Sequence, residues 1–260
     1  MGKRLDQELL AETDRVSSDV VHHVARLLKA GADPNAVRRK VNDFRSALGN
    51  LVYRGQDRAV REMLASGACV HWPERPIPQA QLAGAEYNAY QGLALDTLSL
   101  CMEQLGWTLA ERATLGKSSA KTEAVGGLDD LLEEYMNILP MLLRAGANPA
   151  WEDPATSRLP AEALVRAVEE GAFGITTEFP VDLQQRFAAI VEQTLSVLDP
   201  ATQSQAFRAL ASRDWVRLPH GWGHLEDVPQ ITGALVARAA ARIMDETTPA
   251  PQSRRPGTRL

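Results

Sequence analysis

The sequence LLKAGADPN at residues 27–35 recurs as MLASGACV at residues 63–70 and as LLRAGANP at residues 142–149. Each copy ends an amphipathic segment with a glycine, which adopts the left-handed conformation after a helix without steric cost. We therefore predict that helices end at Gly31, Gly67 and Gly146, each with a positive φ. Because proline excludes the helical region for the residue before it, the prolines in the first and third copies predict a turn after the helix.

The segments that lead into these glycines follow the 3.6-residue period of a helix. Apolar residues predicted to form the core recur on one face at Val20, Val24, Leu27, Leu28, Leu131, Leu132, Tyr135, Leu139, Leu142 and Leu143. Alanine and leucine are abundant, aromatic residues make up only 5% of the chain, and no segment alternates strictly between apolar and polar residues. We predict an all-α fold without a substantial β-sheet.

The repeated phrase resembles the ankyrin repeat, a unit of about 33 residues that consists of a turn and two antiparallel helices. Gly31 and Gly67 are 36 residues apart, and SALGNL at residues 46–51 is similar to a degraded T-P-L-H-x-A opening of an inner helix. RGQD at residues 54–57 is similar to the turn between the helices, and LALDTL at residues 93–98 predicts a third inner helix. The resemblance is best over residues 15–72 and 129–151. It implies an ankyrin-like helical repeat solenoid, a right-handed stack of helix pairs.

Long interruptions divide the chain into unequal parts. We predict ankyrin-like repeats over residues 1–151 with insertions at 73–91 and 106–128, both interpreted as loops from their content of helix breakers. A helical continuation or cap over 152–246 follows, with helices at 160–170, 182–197, 202–212 and 229–245. The tail at 247–260 is rich in proline and arginine and is predicted to be disordered.

The resemblance implies that the protein binds another protein, since ankyrin proteins bind through the turn tips between repeats and the inner-helix face. The tips correspond to residues 33–40, 69–74 and 148–153. We predict that the protein acts as an adaptor, effector or inhibitor through these tips and through the insertion loops at 73–91 and 106–128. The candidate partner-binding residues are Asp33, Asn35, Arg38, Arg39, His71, Trp72, Asn148 and Trp151. Tryptophan is enriched among residues that supply interface energy, although packing against the adjacent helix pair is the alternative for Trp72 and Trp151. The degraded, arginine- and alanine-rich repeats suggest a bacterial or phage protein, such as an effector or an immunity protein.

The composition argues against other classes of partner. A net charge of -5 is not typical of nucleic-acid binding, and no apolar run approaches the ~20 residues that span a bilayer. We therefore expect a cytoplasmic protein that contacts neither nucleic acid nor membrane. The sequence GKS at residues 116–118 lacks the first glycine and the preceding strand of a phosphate-binding loop. We predict no cofactor, small-molecule substrate or catalytic residue.

The densest cluster of potential metal ligands is DWVRLPHGWGHLED at residues 214–227. His220 and His224 are the weak metal candidates there, but glycines and a proline make the segment a loop, in which the two imidazoles do not share a helical face. Two further hypotheses stay open. The first is an enzyme or metal-dependent site in the C-terminal region, and the second is a self-associating structural subunit.

Overall fold

A computed structural model of the chain describes residues 2–15, 17, 19–40, 43–71, 96–115, 122–153, 159–171, 181–199 and 201. The chain divides into two compact units, Met1–Asp199 and Pro200–Leu260. All helices and strands given below belong to the first unit. They are α1 (Gly2–Thr13), α2 (Val20–Lys29), β1 (Val37–Lys40), β2 (Asp43–Ser46), α3 (Ala47–Tyr53), α4 (Asp57–Ala65), α5 (Thr97–Leu115), α6 (Thr122–Arg144), α7 (Pro160–Gly171) and α8 (Val181–Leu195).

The described part of the chain is predominantly helical, which confirms the prediction of an all-α fold in its main feature. A two-stranded antiparallel ribbon was not predicted from the sequence. In it β1 pairs with β2, with Val37 opposite Ser46 and Lys40 opposite Asp43. The backbone groups of this connection pair with each other instead of remaining open to solvent. The ribbon lies between α2 and α3, where β1 falls within the tip predicted at 33–40 and β2 follows it.

The helices contact one another as two rows. The odd-numbered helices follow in order, since α1 packs on α3, α3 on α5 and α5 on α7. The even-numbered helices do the same, since α2 packs on α4 and α4 on α6, and the pairs α1–α2, α3–α4 and α5–α6 pack across the rows. The last helix, α8, contacts α5 and α6. The apolar core therefore lies between the two rows, where both can bury their apolar faces.

Most of the residues predicted as core are buried between these rows. Val20, Val24, Leu27, Leu132, Tyr135, Leu139 and Leu142 are each at most 4% exposed. The other three, Leu28, Leu131 and Leu143, are half-buried. Each of them directly precedes or follows a buried leucine in the chain, and adjacent residues of a helix point about 100° apart. One leucine of each pair therefore lies at the edge of the apolar face.

α3 begins at Ala47 and α5 at Thr97, within the segments at 46–51 and 93–98 that are predicted to form inner helices. Ser46 precedes α3 in an extended conformation, and its hydroxyl accepts a hydrogen bond from the N–H of Gly49 at 2.8 Å. Such a side-chain cap satisfies one of the backbone donors that a helix leaves open at its first turn. The predicted third inner helix begins at Thr97, and residues 91–95 lie outside the described residues.

The prediction of a loop over residues 106–128 is wrong for the residues that the structure describes. Residues 106–115 complete α5, and residues 122–128 form the first part of α6. Gly126 and Gly127, which we interpreted as helix breakers, lie inside α6. Gly106 lies where α5 and α7 meet. A Cβ at Gly106 would lie 2.6 Å from the carbonyl oxygen of Leu164. The glycine is needed for close packing of two helices, which outweighs its low helix propensity.

The helices predicted at 160–170 and 182–197 are present as α7 and α8. The predicted insertion at 73–91, the helices at 202–212 and 229–245 and the tail at 247–260 lie outside the described residues, apart from Ala201 next to them. The boundary between repeats and continuation at residue 151 stays a prediction.

Candidate functional site

The three repeated phrases end their helices with the same geometry. The φ angle is +94° at Gly31, +86° at Gly67 and +95° at Gly146, which confirms the prediction. In the first copy the N–H of Gly31 donates to Leu28 and that of Ala32 donates to Leu27, both at 3.0 Å, and the other copies repeat both bonds. This pattern is the Schellman motif, which satisfies the last carbonyl groups of a helix. We name the turns that follow the three glycines tip 1, tip 2 and tip 3.

A side chain four residues after the first glycine joins tip 1 to tip 2. The Oδ1 of Asn35 accepts a hydrogen bond from the N–H of Cys69 at 2.7 Å, and its Nδ2 donates to the carbonyl oxygen of Gly67 at 3.4 Å. The N–H of Asp33 donates to the Oδ1 of Asp6 in α1 at 2.9 Å. In both cases the residue two positions after the glycine donates its N–H to a side chain from the preceding part of the fold.

His71 has in tip 2 the place that Asn35 has in tip 1, four residues after the glycine. Its Nε2 lies 2.9 Å from the backbone nitrogen of Asn148 in tip 3. Because a backbone N–H only donates, we assign the lone pair to Nε2 and the ring proton to Nδ1. Nδ1 then donates to the Oδ1 of Asp96 at 3.1 Å. In tip 3 the equivalent residue is Ala150, whose side chain has no acceptor, so this series of contacts ends there.

Asp96 connects tip 2 with the start of α5. Its side chain is buried, and its Oδ2 accepts hydrogen bonds from the N–H groups of Leu98 and Ser99 at 3.1 and 3.2 Å. Its own N–H donates to the Oδ2 of the buried Asp153 at 2.6 Å. Burial raises the pKa of the Asp96 carboxyl, the hydrogen bonds from His71 and Ser99 lower it in part, and the charge of Asp153 raises it. The buried carboxyl groups of Asp96 and Asp153 therefore both lie next to the contact between tips 2 and 3.

Trp151 packs against the same histidine. The rings of His71 and Trp151 are stacked with their centroids 4.8 Å apart and an angle of 25° between their planes. Trp151 is half-buried and follows tip 3, so the stack joins the same two tips as the hydrogen bond to Asn148. Trp151 therefore packs on a side chain of tip 2, and its packing against the adjacent helix pair stays a prediction.

The structure brings five of the predicted partner-binding residues to the tips. They are Asp33, Asn35, His71, Asn148 and Trp151, and all but Asp33 use a side chain or the backbone to contact another tip. The backbones of Arg38 and Arg39 lie in β1, and Trp72 lies outside the described residues. Sequence reasoning missed Asp6, Asp96 and Asp153. Asp96 fell inside the helix predicted at 93–98, and the preference of aspartate for the position directly before a helix could have identified it as a cap.

A second surface feature lies between α4 and α6. A groove of about 490 Å³ is lined by four acidic residues together with Arg58 and Asn137, and the acidic residues are Asp57, Asp130, Glu133 and Glu134. Burial raises the pKa of Glu134, the charges of Asp57 and Asp130 raise it further, and Arg58 opposes them. Like charges next to one another disfavour ionisation, so the groove suits a positively charged group better than an anion.

The chemistry of the described residues is limited. His71 is paired with a carboxylate, as in many general bases, but its Nε2 already accepts the N–H of Asn148 and cannot also receive a substrate proton in this arrangement. Within the described ranges, no group of three or more His, Cys, Asp or Glu side chains could hold a metal ion. His220 and His224 lie outside those ranges.

None of the described helices combines the length and the apolar character needed to cross a membrane.

A comparison of the chain with protein-family models found no match, and comparisons with curated proteins and with solved structures found no significant match either.

Proposed function

We propose that this chain is an ankyrin-like repeat protein of the cytoplasm whose function is to bind another protein through its turn tips. The observation that carries the proposal is the recurrence of one contact at successive tips. The side chain four residues after a glycine accepts the N–H two residues after the next glycine, from Asn35 to Cys69 and from His71 to Asn148. Equivalent contacts between successive units are what a stack of repeats requires, since each unit contacts only its neighbours.

The two rows of helices support the same proposal. Odd-numbered helices pack on odd-numbered helices and even-numbered on even-numbered ones, which is the packing expected when helix pairs stack side by side. Such a stack presents an extended surface to a partner. Tips that are already held in register lose little conformational freedom when a partner binds, and this favours affinity.

The exposed groups at the tips supply the proposed contact surface. Asp33 and Asn148 are exposed, and so are Ala150 and Glu152, whereas the acceptor groups of Asn35 and His71 are engaged between tips. We assign the contact role to the exposed residues and to Arg38 and Arg39 of β1, and a supporting role to Asn35 and His71. The net charge of -5 favours a protein partner over a nucleic acid. Effector and immunity protein are the specialisations that we propose.

Affinity capture from the native host followed by mass spectrometry tests this function. Three baits are compared, namely the natural chain, a tip variant with Arg38→Glu, Arg39→Glu and Glu152→Lys, and a groove variant with Asp130→Lys and Glu133→Lys. All three must have the same circular dichroism spectrum and melting cooperativity. We expect one specific partner that the natural chain and the groove variant retain and the tip variant loses. If the groove variant loses the partner and the tip variant keeps it, the proposed surface is wrong.

A further inference from the structure

The two contacts between successive tips differ in one chemical property. The acceptor that joins tip 1 to tip 2 is the carboxamide of Asn35, which does not titrate in water at ordinary pH. The acceptor that joins tip 2 to tip 3 is the imidazole of His71. Histidine is the side chain whose charge ordinarily changes between pH 5 and 8. One of two otherwise equivalent contacts is therefore open to control by protons.

Protonation of His71 removes the acceptor. Nδ1 already carries the ring proton that is donated to Asp96, so a second proton must go to Nε2. Nε2 would then present an N–H to the N–H of Asn148, which lies 2.9 Å away. Two donors do not form a hydrogen bond, and the Asn148 amide must move or turn to water. His71 is 19% exposed, so water and protons can reach the ring.

The surrounding groups act on the charge of His71 but do not replace the lost acceptor. From α5, Asp96 faces Nδ1, and from the segment after tip 3, Asp153 bonds to the backbone of Asp96. Trp151 stacks on the ring, an arrangement that favours a cation. The thiol of Cys69 donates to the carbonyl oxygen of His71. None of these contacts involves the Asn148 N–H.

The carboxyl beside His71 also changes as the pH falls. Because burial raises the pKa of Asp96, this carboxyl takes up a proton at a higher pH than an exposed aspartate does. Its ability to hold a charged His71 in the same geometry then weakens in the acid range. Acidification therefore acts on both hydrogen bonds of the His71 ring, the one to Asn148 and the one to Asp96.

We propose that the contact between tip 2 and tip 3 is an acid-sensitive latch, which opens when His71 is protonated, while the contact between tip 1 and tip 2 stays closed. Opening releases the Asn148 N–H of tip 3 from His71 and so changes the relation between these two tips. The latch depends on the hydrogen bonds of His71 and does not require that the tips bind a protein.

Amide hydrogen exchange resolved by NMR tests the latch on the full chain. Protection factors, which correct for the intrinsic pH dependence of exchange, are measured at pH 8 and pH 5 for Asn148, Ala147 and Cys69. Loss of the His71 acceptor should lower the protection of Asn148 about tenfold at pH 5. Ala147 is the internal control, because its N–H donates to the carbonyl of Leu142, which does not titrate. Cys69 reports on the Asn35 contact, and both controls should keep their protection.

Two matched variants test whether the His71 side chain causes the loss of protection at Asn148. In His71→Asn a carboxamide replaces the imidazole, as in tip 1, and the protection of Asn148 should become independent of pH. In Asn35→His the pH dependence should extend to Cys69. The latch is refuted if Asn148 keeps its protection at pH 5 in the natural chain, or if His71→Asn shows the same loss. An equal loss at Ala147 and Asn148 also refutes it, because that would indicate opening of the whole helix end.

Discussion

The carboxamide Oδ1 of Asn35 accepts a hydrogen bond from the backbone N–H of Cys69 at 2.7 Å, although the two residues are 34 positions apart in the chain. The same carboxamide donates to the carbonyl oxygen of Gly67. One side chain thus pairs with both a donor and an acceptor of the next tip. This double role distinguishes the amide from an alanine or an aspartate at the same position.

We expect Asn35→Ala to lower the free energy of unfolding by about 1 kcal/mol, because two hydrogen bonds are lost in a partly solvated turn. Asn35→Asp keeps the acceptor for Cys69 but not the donor to Gly67, so its loss should be smaller. Urea unfolding followed by circular dichroism measures both. Equal stability of the natural chain and the alanine variant would show that the contact adds nothing to the fold.

Gly106 sets the distance between α5 and α7. A Cβ there would lie 2.6 Å from the carbonyl oxygen of Leu164 and 2.7 Å from the Cβ of Ala167, so the helices would have to separate. We expect Gly106→Ala to destabilise the protein by about 1–3 kcal/mol. Thermal unfolding gives the comparison with Gly127→Ala in α6, where a Cβ meets nothing within 4 Å. That control should be neutral or stabilising by up to about 1 kcal/mol. The packing argument is wrong if both variants behave alike.

Substitutions at the tip glycines should be limited by the positive φ of the backbone and not by contact with neighbouring atoms. Gly67 has a φ of +86°, and a Cβ there meets nothing within 4 Å. We expect Gly67→Val to cost about 1 kcal/mol or more, because a branched side chain resists positive φ. Gly67→Asn should cost less, since asparagine visits this region more readily. Chemical denaturation of the two variants tests this order, and a valine variant as stable as the asparagine variant would contradict it.

Stability should fall in alkaline solution because of two buried groups. Burial raises the pKa of the Cys101 thiol above its usual 9.0, and burial raises the pKa of Tyr135 above its usual 10.0, with the charges of Cys101, Tyr53 and Glu134 adding to it. Both groups keep their protons in the folded chain while the unfolded chain loses them. Their contribution is therefore fully present below pH 9 and declines as the pH rises through 9.0 and 10.0, by up to about 1.4 kcal/mol per pH unit for each group.

Tyr135→Phe tests the part that belongs to the tyrosine. The variant loses the hydrogen bond from the Tyr135 hydroxyl to the carbonyl oxygen of Tyr53, which is 2.7 Å long, so we expect it to start about 1 kcal/mol less stable at pH 7. Above pH 10 its stability should decline less steeply than that of the natural chain. Denaturation curves at pH 7, 9, 10 and 11 give both quantities. Parallel declines for the two proteins would rule out Tyr135 as a source of the alkaline loss.

The tips show how far sequence reasoning reaches. The repeated phrase predicted the ends of α2, α4 and α6 and the positive φ of Gly31, Gly67 and Gly146, because a helix end depends on residues within one turn of it. It also placed Asn35 and His71 at the tips. Their roles as acceptors between tips were not predicted, since each bond joins residues far apart in the chain.

Local chemistry by itself determined the helices, their glycine ends and most of the buried apolar faces, because these depend on spacing and on backbone conformation. Only the tertiary structure decided the role of Gly106, a residue of low helix propensity at which α5 and α7 approach each other closely. The tertiary structure alone also decided the state of His71. Its tautomer follows from Asp96 on one nitrogen and Asn148 on the other, and no pattern in the neighbouring sequence specifies either partner. Packing of distant segments sets these properties, and a sequence pattern reports only on its own neighbourhood.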